Sequence, residues 1–341
     1  MREMVEKREV SMVTLQHRFK YIQGLHVLQK EPKLRVLVLD IWNACNYNCI
    51  YCYGKADSFT SNDSLITIEK YEQLFKEAKT FGVKTIWFLG GHENSLNPIY
   101  FDLLKIIEEL ELFSVSFVNG SLFSLDPNAY QKIFSLKNSS VVIKVDSLNP
   151  QRQNFLTGNK KSAQYLKTAI DFLAQKSRLE TNSDTLPRIG LSTVLTKFNY
   201  LNIPQIFELA LQNNWAYFCD GILKSGQAEN KDLEPSREQI DELLQQLQII
   251  IEKFHLNIQP KQVINFYDQE CLIFDNYIFI TPEGLALPCA GFPEINNRLG
   301  HINEGLATLW QRKKALIEKY YSLNCTNDKC PCRVHLEDKT I

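Results

Sequence analysis

No stretch of this 341-residue chain stays apolar for long, and aliphatic runs such as Val141-Val142-Ile143 and Ile249-Ile250-Ile251 fall far short of the ~20 residues a membrane-crossing helix needs. No membrane partner is expected. A secretory signal is also missing, because the first residues, Met1-Arg2-Glu3-Met4-Val5-Glu6-Lys7-Arg8, are charged and no apolar segment follows them. The expected setting is a cytoplasmic, reducing one, which excludes a disulfide framework. Neither sign of charge dominates: the formal net charge is -1. The chain therefore casts no broad field for nucleic acid, a local basic patch aside. Low-complexity tracts and short-period repeats are absent as well.

What is present suffices for a large core. The length fits about two domains, and 44% of residues are hydrophobic and 11% aromatic. Cysteine is sparse, nine in all, yet three stand together in Asn43-Ala44-Cys45-Asn46-Tyr47-Asn48-Cys49-Ile50-Tyr51-Cys52-Tyr53. The spacing is C-x3-C-x2-C. Three thiolates are one short of what a four-iron cube takes, which leaves its fourth iron open to another ligand. Structural zinc prefers a second ligand pair close by, and no Cys or His pair lies within fifty residues of Cys52. Free buried thiols do not call for three in a loop rich in Asn and Tyr.

Short β-branched runs alternate with longer amphipathic segments, a pattern of parallel strands joined by helices. Six strands are expected, at 35–41, 83–89, 114–118, 141–145, 188–195 and 216–223. Helices are expected at 67–80, 98–110, 127–135, 162–175 and 203–212. Six such units make an open, incomplete barrel, a partial (β/α)6 TIM-like fold, with functional residues at the C-terminal strand ends. The cysteine triplet follows the first strand, where that rule places it.

The triplet, with Tyr51 before its last cysteine, resembles the signature of the radical S-adenosylmethionine (radical SAM) superfamily. The resemblance implies that Cys45, Cys49 and Cys52 hold a [4Fe-4S] cluster whose open iron is chelated by SAM. Reductive cleavage of SAM then yields a 5'-deoxyadenosyl radical that abstracts a substrate hydrogen. Further matches recur at successive strand ends. Gly90-Gly91-His92-Glu93 resembles the family's GGE motif for the SAM amino group, and the intervening His92 leaves that contact to Glu93 or to the Gly91 carbonyl. Asn119-Gly120 resembles the TNG turn. Asp146 and Ser147 fall where the family contacts the SAM ribose, with helix capping or turn formation as the other reading. Thr193 lies on the strand similar to the one beside the adenine.

The last third carries five more cysteines. Cys271, Gly284 and Cys289 form C-x12-G-x4-C around an expected hairpin, and Cys325, Cys330 and Cys332 close the chain. This resembles the SPASM or twitch extensions of radical SAM enzymes. It implies one auxiliary [4Fe-4S] cluster held by four of the five, and a zinc site built from the same thiols remains open. The expected division is an N-terminal helical extension at 1–33, the barrel at 34–235 and the auxiliary region at 236–341.

Peptide-modifying relatives often carry an N-terminal leader-recognition module, which the first 33 residues are too few to supply. A separate leader-binding protein is then an expected partner, alongside an electron donor such as flavodoxin or ferredoxin. Two reactions are in view: maturation of a ribosomally made peptide, and small-molecule dehydrogenation with the auxiliary cluster as electron acceptor. A cluster-bearing binding or sensor protein without turnover is the alternative of another class. Cys219, apart from both cysteine groups, is either a hydrogen-atom donor to a substrate radical or a buried core thiol.

Overall fold

The computed structural model describes residues 32–54, 66–179, 188–223, 225–264, 274–290 and 298–322. The β-branched runs form six strands: β1 (Val36–Leu39), β2 (Thr85–Phe88), β3 (Phe113–Val118), β4 (Ser139–Lys144), β5 (Ile189–Val194) and β6 (Ala216–Asp220). Each pairs in parallel with the next. On the other side of β1 lies β7 (Tyr277–Ile280), also parallel, with Leu39 opposite Ile280. The expected hairpin forms from β7 and β8 (Leu285–Leu287), and β9 (Gly300–His301) ends the sheet. Among the described residues nine strands thus run in the order β6-β5-β4-β3-β2-β1-β7-β8-β9. The sheet does not close. The hairpin that the sequence assigns to residues 236–341 is therefore hydrogen-bonded into the barrel sheet.

Side chains alternate across a strand, and here the two sets meet different surroundings. Leu37, Leu39, Ile86, Phe88, Ile143, Leu191, Tyr217 and Ile278 pack under helices, in one cluster with residues such as Phe75, Leu103 and Phe207. The other set, including Val38, Trp87, Val142, Phe218 and Phe279, meets other strand residues. Phe117 of β3 touches Phe218 of β6 with ring centroids 5.8 Å apart. Three strand spacings in a flat sheet would span about 14 Å. The sheet must curl to bring those rings together, so this set lines the concave side of an open barrel.

Helices cover the convex side. The helices are α1 (Ile68–Phe81), α2 (Tyr100–Glu109), α3 (Leu122–Leu125), α4 (Ala129–Phe134), α5 (Pro150–Thr157), α6 (Ser162–Leu179), α7 (Ile203–Gln212), α8 (Arg237–Lys253) and α9 (Leu306–Ser322), and all but α5, whose Leu156 clusters with Tyr51, join that helix-side core. In α1 the Thr67 side chain caps the first turn, and Tyr71, Leu74, Phe75 and Ala78 are buried. That is the i, i+3, i+4, i+7 stripe of a helix with one apolar face. α8 opens with a Ser236–Gln239 capping box and buries Ile240, Leu243, Leu247 and Ile251.

α5 was not expected as a helix, because its eight residues, PQRQNFLT, carry no apolar periodicity. It forms because Asn149 caps it and Pro150 stands in the first turn. It stops at Gly158, whose φ is 59° and where a Cβ would lie 2.3 Å from the Asn48 carbonyl. Of strands β1 to β6, β3 ends where expected and the other five end one to three residues early, after β1 because the backbone there turns to a side chain. The Ile41 amide donates to Asn94 Oδ1 at 2.7 Å.

Candidate active site

After β1 the chain runs through Cys45, Cys49 and Cys52, all half-buried. Distant segments fix the shape of this loop. The end of α5 accepts two of its amides, Asn48 to the Thr157 carbonyl at 2.9 Å and Ile50 to the Leu156 carbonyl at 3.0 Å. Asn159 Nδ2 donates to the Asn46 carbonyl at 2.7 Å. From the far side, the Gln227 amide donates to the Cys52 carbonyl at 2.8 Å, and Lys231 Nζ to the Ile50 carbonyl at 3.2 Å. Asn119, in the turn after β3, donates through Nδ2 to Asn46 Oδ1 at 2.6 Å and accepts from Tyr47 Oη through its carbonyl at 3.2 Å. The residue expected to serve SAM thus also braces the cysteine loop.

The Gly-Gly-His-Glu segment after β2 lies against this loop. Gly90 presses on Asp40, so that a Cβ there would lie 2.0 Å from the carboxylate carbon. Asp40 Oδ2 accepts from the Gly91 amide at 2.9 Å and lies 3.0 Å from His92 Nδ1. The Gly91 carbonyl accepts from Cys52 Sγ at 3.4 Å. Sequence reading passed over Asp40 and the role of His92, since nothing local marks a pair 52 residues apart. The Glu93 carboxylate is buried and turned inward: Oε2 accepts from the Asn119 amide at 2.7 Å, and Oε1 from the Ser95 hydroxyl and amide. Burial raises its pKa to about 7, against which the Ser95 and Asn119 donors act. Its polar capacity is spent on joining two strand ends.

Asp146 and Ser147, after β4, are fully buried. Asp146 accepts from Tyr51 Oη, from Lys144 Nζ at 2.6 Å and from the Val194 amide at 3.1 Å. The Ser147 hydroxyl accepts from the Asn149 amide and bonds Asn202, which is the turn-forming reading of that residue. Gln153 Oε1 caps both amides, Asp146 at 3.1 Å and Ser147 at 2.9 Å. The Thr193 hydroxyl donates to the Val145 carbonyl at 2.6 Å and lies in the parity set that faces the helices. Cys219 is in that set as well, fully buried in the helix-side core, a placement that favours the core-thiol reading. By the same parity Lys144, Ser192 and Asp220 stand at the rim of the concave side. Lys144 Nζ lies 5.0 Å from the Tyr51 ring centroid, between rim and cysteine loop.

The thiols are costly to ionise as they stand. Burial, then the nearby Glu93 carboxylate, pushes Cys45 up to about 12. Burial and Asp146 push Cys49 well above the ordinary thiol value. Burial also raises Cys52, with Lys144 among the groups acting the other way. A bound metal supplies the missing positive charge and displaces those protons. Among the described residues no three His, Cys, Asp or Glu side chains converge as the ligands of one ion would. A cube takes one thiolate on each of three irons and needs no such convergence. The three thiols of one loop offer a ligand to each of three irons of a [4Fe-4S] cluster and are one short of the four that structural zinc takes. Of the five C-terminal thiols only Cys289 lies among the described residues, half-buried. Cys271, Cys325, Cys330 and Cys332 lie outside them, as does the N-terminal extension up to residue 31.

Comparison with known proteins agrees with this geometry. Residues 39–193 match the Radical SAM superfamily. The chain is 26% identical over 235 residues to Fe-coproporphyrin III synthase of Methanosarcina barkeri, covering 67% of this chain and 55% of that protein. It spans about half the length of the curated relatives it matches. Among solved structures, Streptococcus suis SuiB bound to precursor peptide SuiA superposes with a TM-score of 0.64 at 16% identity, over 87% of this chain and 69% of that one. Native anSMEcpe with bound AdoMet gives 0.59 at 14% identity, over 83% and 82%. At those identities the likeness is one of fold. Among the described residues no helix is long and apolar enough to cross a membrane.

Proposed function

This chain is a radical SAM protein, and on that premise we propose that it generates a 5'-deoxyadenosyl radical and uses it to take a hydrogen atom from a ribosomally made peptide. The observation that carries the radical chemistry is the cysteine loop itself: three half-buried thiols at the C-terminal end of β1, tied down by bonds from α5, Gln227 and Asn119. The family's [4Fe-4S] cluster, bound with SAM, supplies the electron that cleaves the cofactor. The chain's own residues orient and enclose. Gly90 and Gly91 bring bare backbone to the loop. Glu93 and Asn119 lock the neighbouring strand ends. Asp146, Ser147 and Thr193 act by shaping the turns that face SAM, since their polar atoms are already engaged.

The test is anaerobic reconstitution with iron and sulfide, then reduction with SAM, following 5'-deoxyadenosine by mass. Product from the wild type and none from the C45A/C49A/C52A protein is expected. Retained cleavage in that triple variant would overturn the ligand assignment.

Peptide as substrate class is supported by the likeness to SuiB, solved with its precursor peptide. The second reading, a small-molecule substrate, draws on the curated relatives, a porphyrin synthase and a nucleotide dehydratase among them. Mass shifts in candidate precursor peptides after turnover separate the two. Residues 236–341 add β7, β8 and β9 to the sheet, and on the proposed function they also hold an auxiliary [4Fe-4S] cluster through four of Cys271, Cys289, Cys325, Cys330 and Cys332. About eight irons per chain is the expected content. Four irons with one zinc would instead assign the second site to zinc.

A further inference from the structure

A reaction that begins with one external electron needs a place for the donor to dock, and on the functional reading above we propose that place. It is the exposed aromatic patch over α5 and the turn after β5, and its occupant is a small acidic one-electron carrier protein. Four large apolar side chains stand open there. Phe155 is 52% exposed, Leu201 43%, Leu148 39% and Phe198 38%. Phe155 and Phe198 meet edge to face at 5.4 Å, and Arg152 and the Ser147 hydroxyl both bond Asn202, drawing the two turns together. Scattered single apolar residues are ordinary on a surface, whereas a contiguous group marks an interaction site.

Position singles out a redox partner. Phe155 precedes Leu156, whose carbonyl holds the Ile50 amide of the cysteine loop at 3.0 Å. Lys160 and Lys161 follow Asn159, whose side chain holds the Asn46 carbonyl at 2.7 Å. Leu156, Tyr51 and Cys49 share one apolar cluster. The patch is therefore one residue and one hydrogen bond from the ligand-bearing loop.

Charge selects the kind of carrier. Over 147–170 the chain carries Arg152, Lys160, Lys161 and Lys167 and no Asp or Glu, and over 189–207 it carries Lys197 and again no acid. The carboxylates that reach this face are Asp171, one turn on from Lys167 and paired with it, Asp232 onto Lys197 at 2.7 Å and Glu242 onto the Tyr200 hydroxyl at 3.0 Å. In a chain of net charge -1 that is a local reversal of sign. A basic rim around an aromatic centre steers an acidic partner in and then holds it by apolar contact. The carrier loses one electron and the cluster gains one, with no bond made or broken.

The experiment reads cluster reduction, not turnover. Reconstituted protein is mixed anaerobically with reduced flavodoxin, with reduced ferredoxin, or with dithionite, and bleaching of the iron–sulfur absorbance is timed. In F155S/F198S and in K160E/K161E the rate with the protein carriers is expected to fall about tenfold at low salt, while the dithionite rate stays within about twofold of wild type. The wild-type rate with carriers should fall as salt is added, and that of K160E/K161E should not. Equal carrier rates in wild type and both variants would overturn the proposal. So would a wild-type cluster that dithionite reduces and neither carrier does. Binding to phosphatidylserine vesicles that is lost in F155S/F198S, with carrier rates unchanged, would reassign the patch to lipid. A protein that takes up no iron at Cys45, Cys49 and Cys52 would overturn the functional reading itself, and the proposal with it.

Discussion

Gly90 has no room for a methyl group, because Asp40 fills the space and is itself held by the Gly91 amide and His92. Gly90→Ala is expected to destabilise the metal-free protein by about 2–4 kcal/mol, read as a lower midpoint in urea. An unchanged midpoint would mean that Asp40 swings aside freely. Glu93 offers a pH test. Its folded pKa of about 7 stands above the ordinary carboxylate value, so between about 4.3 and 7 the folded state binds more protons than the unfolded one. Stability of the metal-free protein should therefore fall as pH rises through that window, by at most about 4 kcal/mol. In Glu93→Gln the fall should disappear. The cysteine triplet was legible as a candidate from its spacing, and the glycine pair and Asn119 from their resemblance to family motifs at strand ends; the structure sets all of them against one loop. The Asp40–His92 contact and the Gln153 cap were not legible, since each joins positions that only the folded strands bring together.

Among elements, α5 shows where sequence pattern runs out. Strands β1 to β6 were legible from their β-branched runs, and α1, α6 and α7 from their amphipathic stripes. α5 has no stripe to read; its signals are a cap and a terminating glycine, and its use is to accept two amides from the cysteine loop. Gly158→Ala combines an unfavourable positive φ with a methyl group 2.3 Å from the Asn48 carbonyl. Iron content after reconstitution should drop by at least about half, while far-ultraviolet circular dichroism stays near wild type. Full iron loading would show that the loop does not depend on the end of α5.

For the whole molecule, the pairing of β1 with β7 makes the C-terminal third part of the sheet that carries the cysteine loop. A fragment ending at residue 264 would leave β1, with its buried Val36-Leu37-Val38-Leu39, as a bare apolar edge. Such edges invite strand addition from other chains, and sedimentation velocity should find that fragment associated under conditions where the full chain is monodisperse. The cysteine loop has a broader consequence. Its amides and carbonyls are bonded to Thr157, Leu156, Gln227 and Asn159, all through protein atoms. In a small zinc finger, losing the metal means losing the fold. If the loop holds the proposed cluster, a socket braced in this way is expected to outlast the loss of its inorganic core to oxygen, so that reloading in place, rather than new synthesis, would restore the protein.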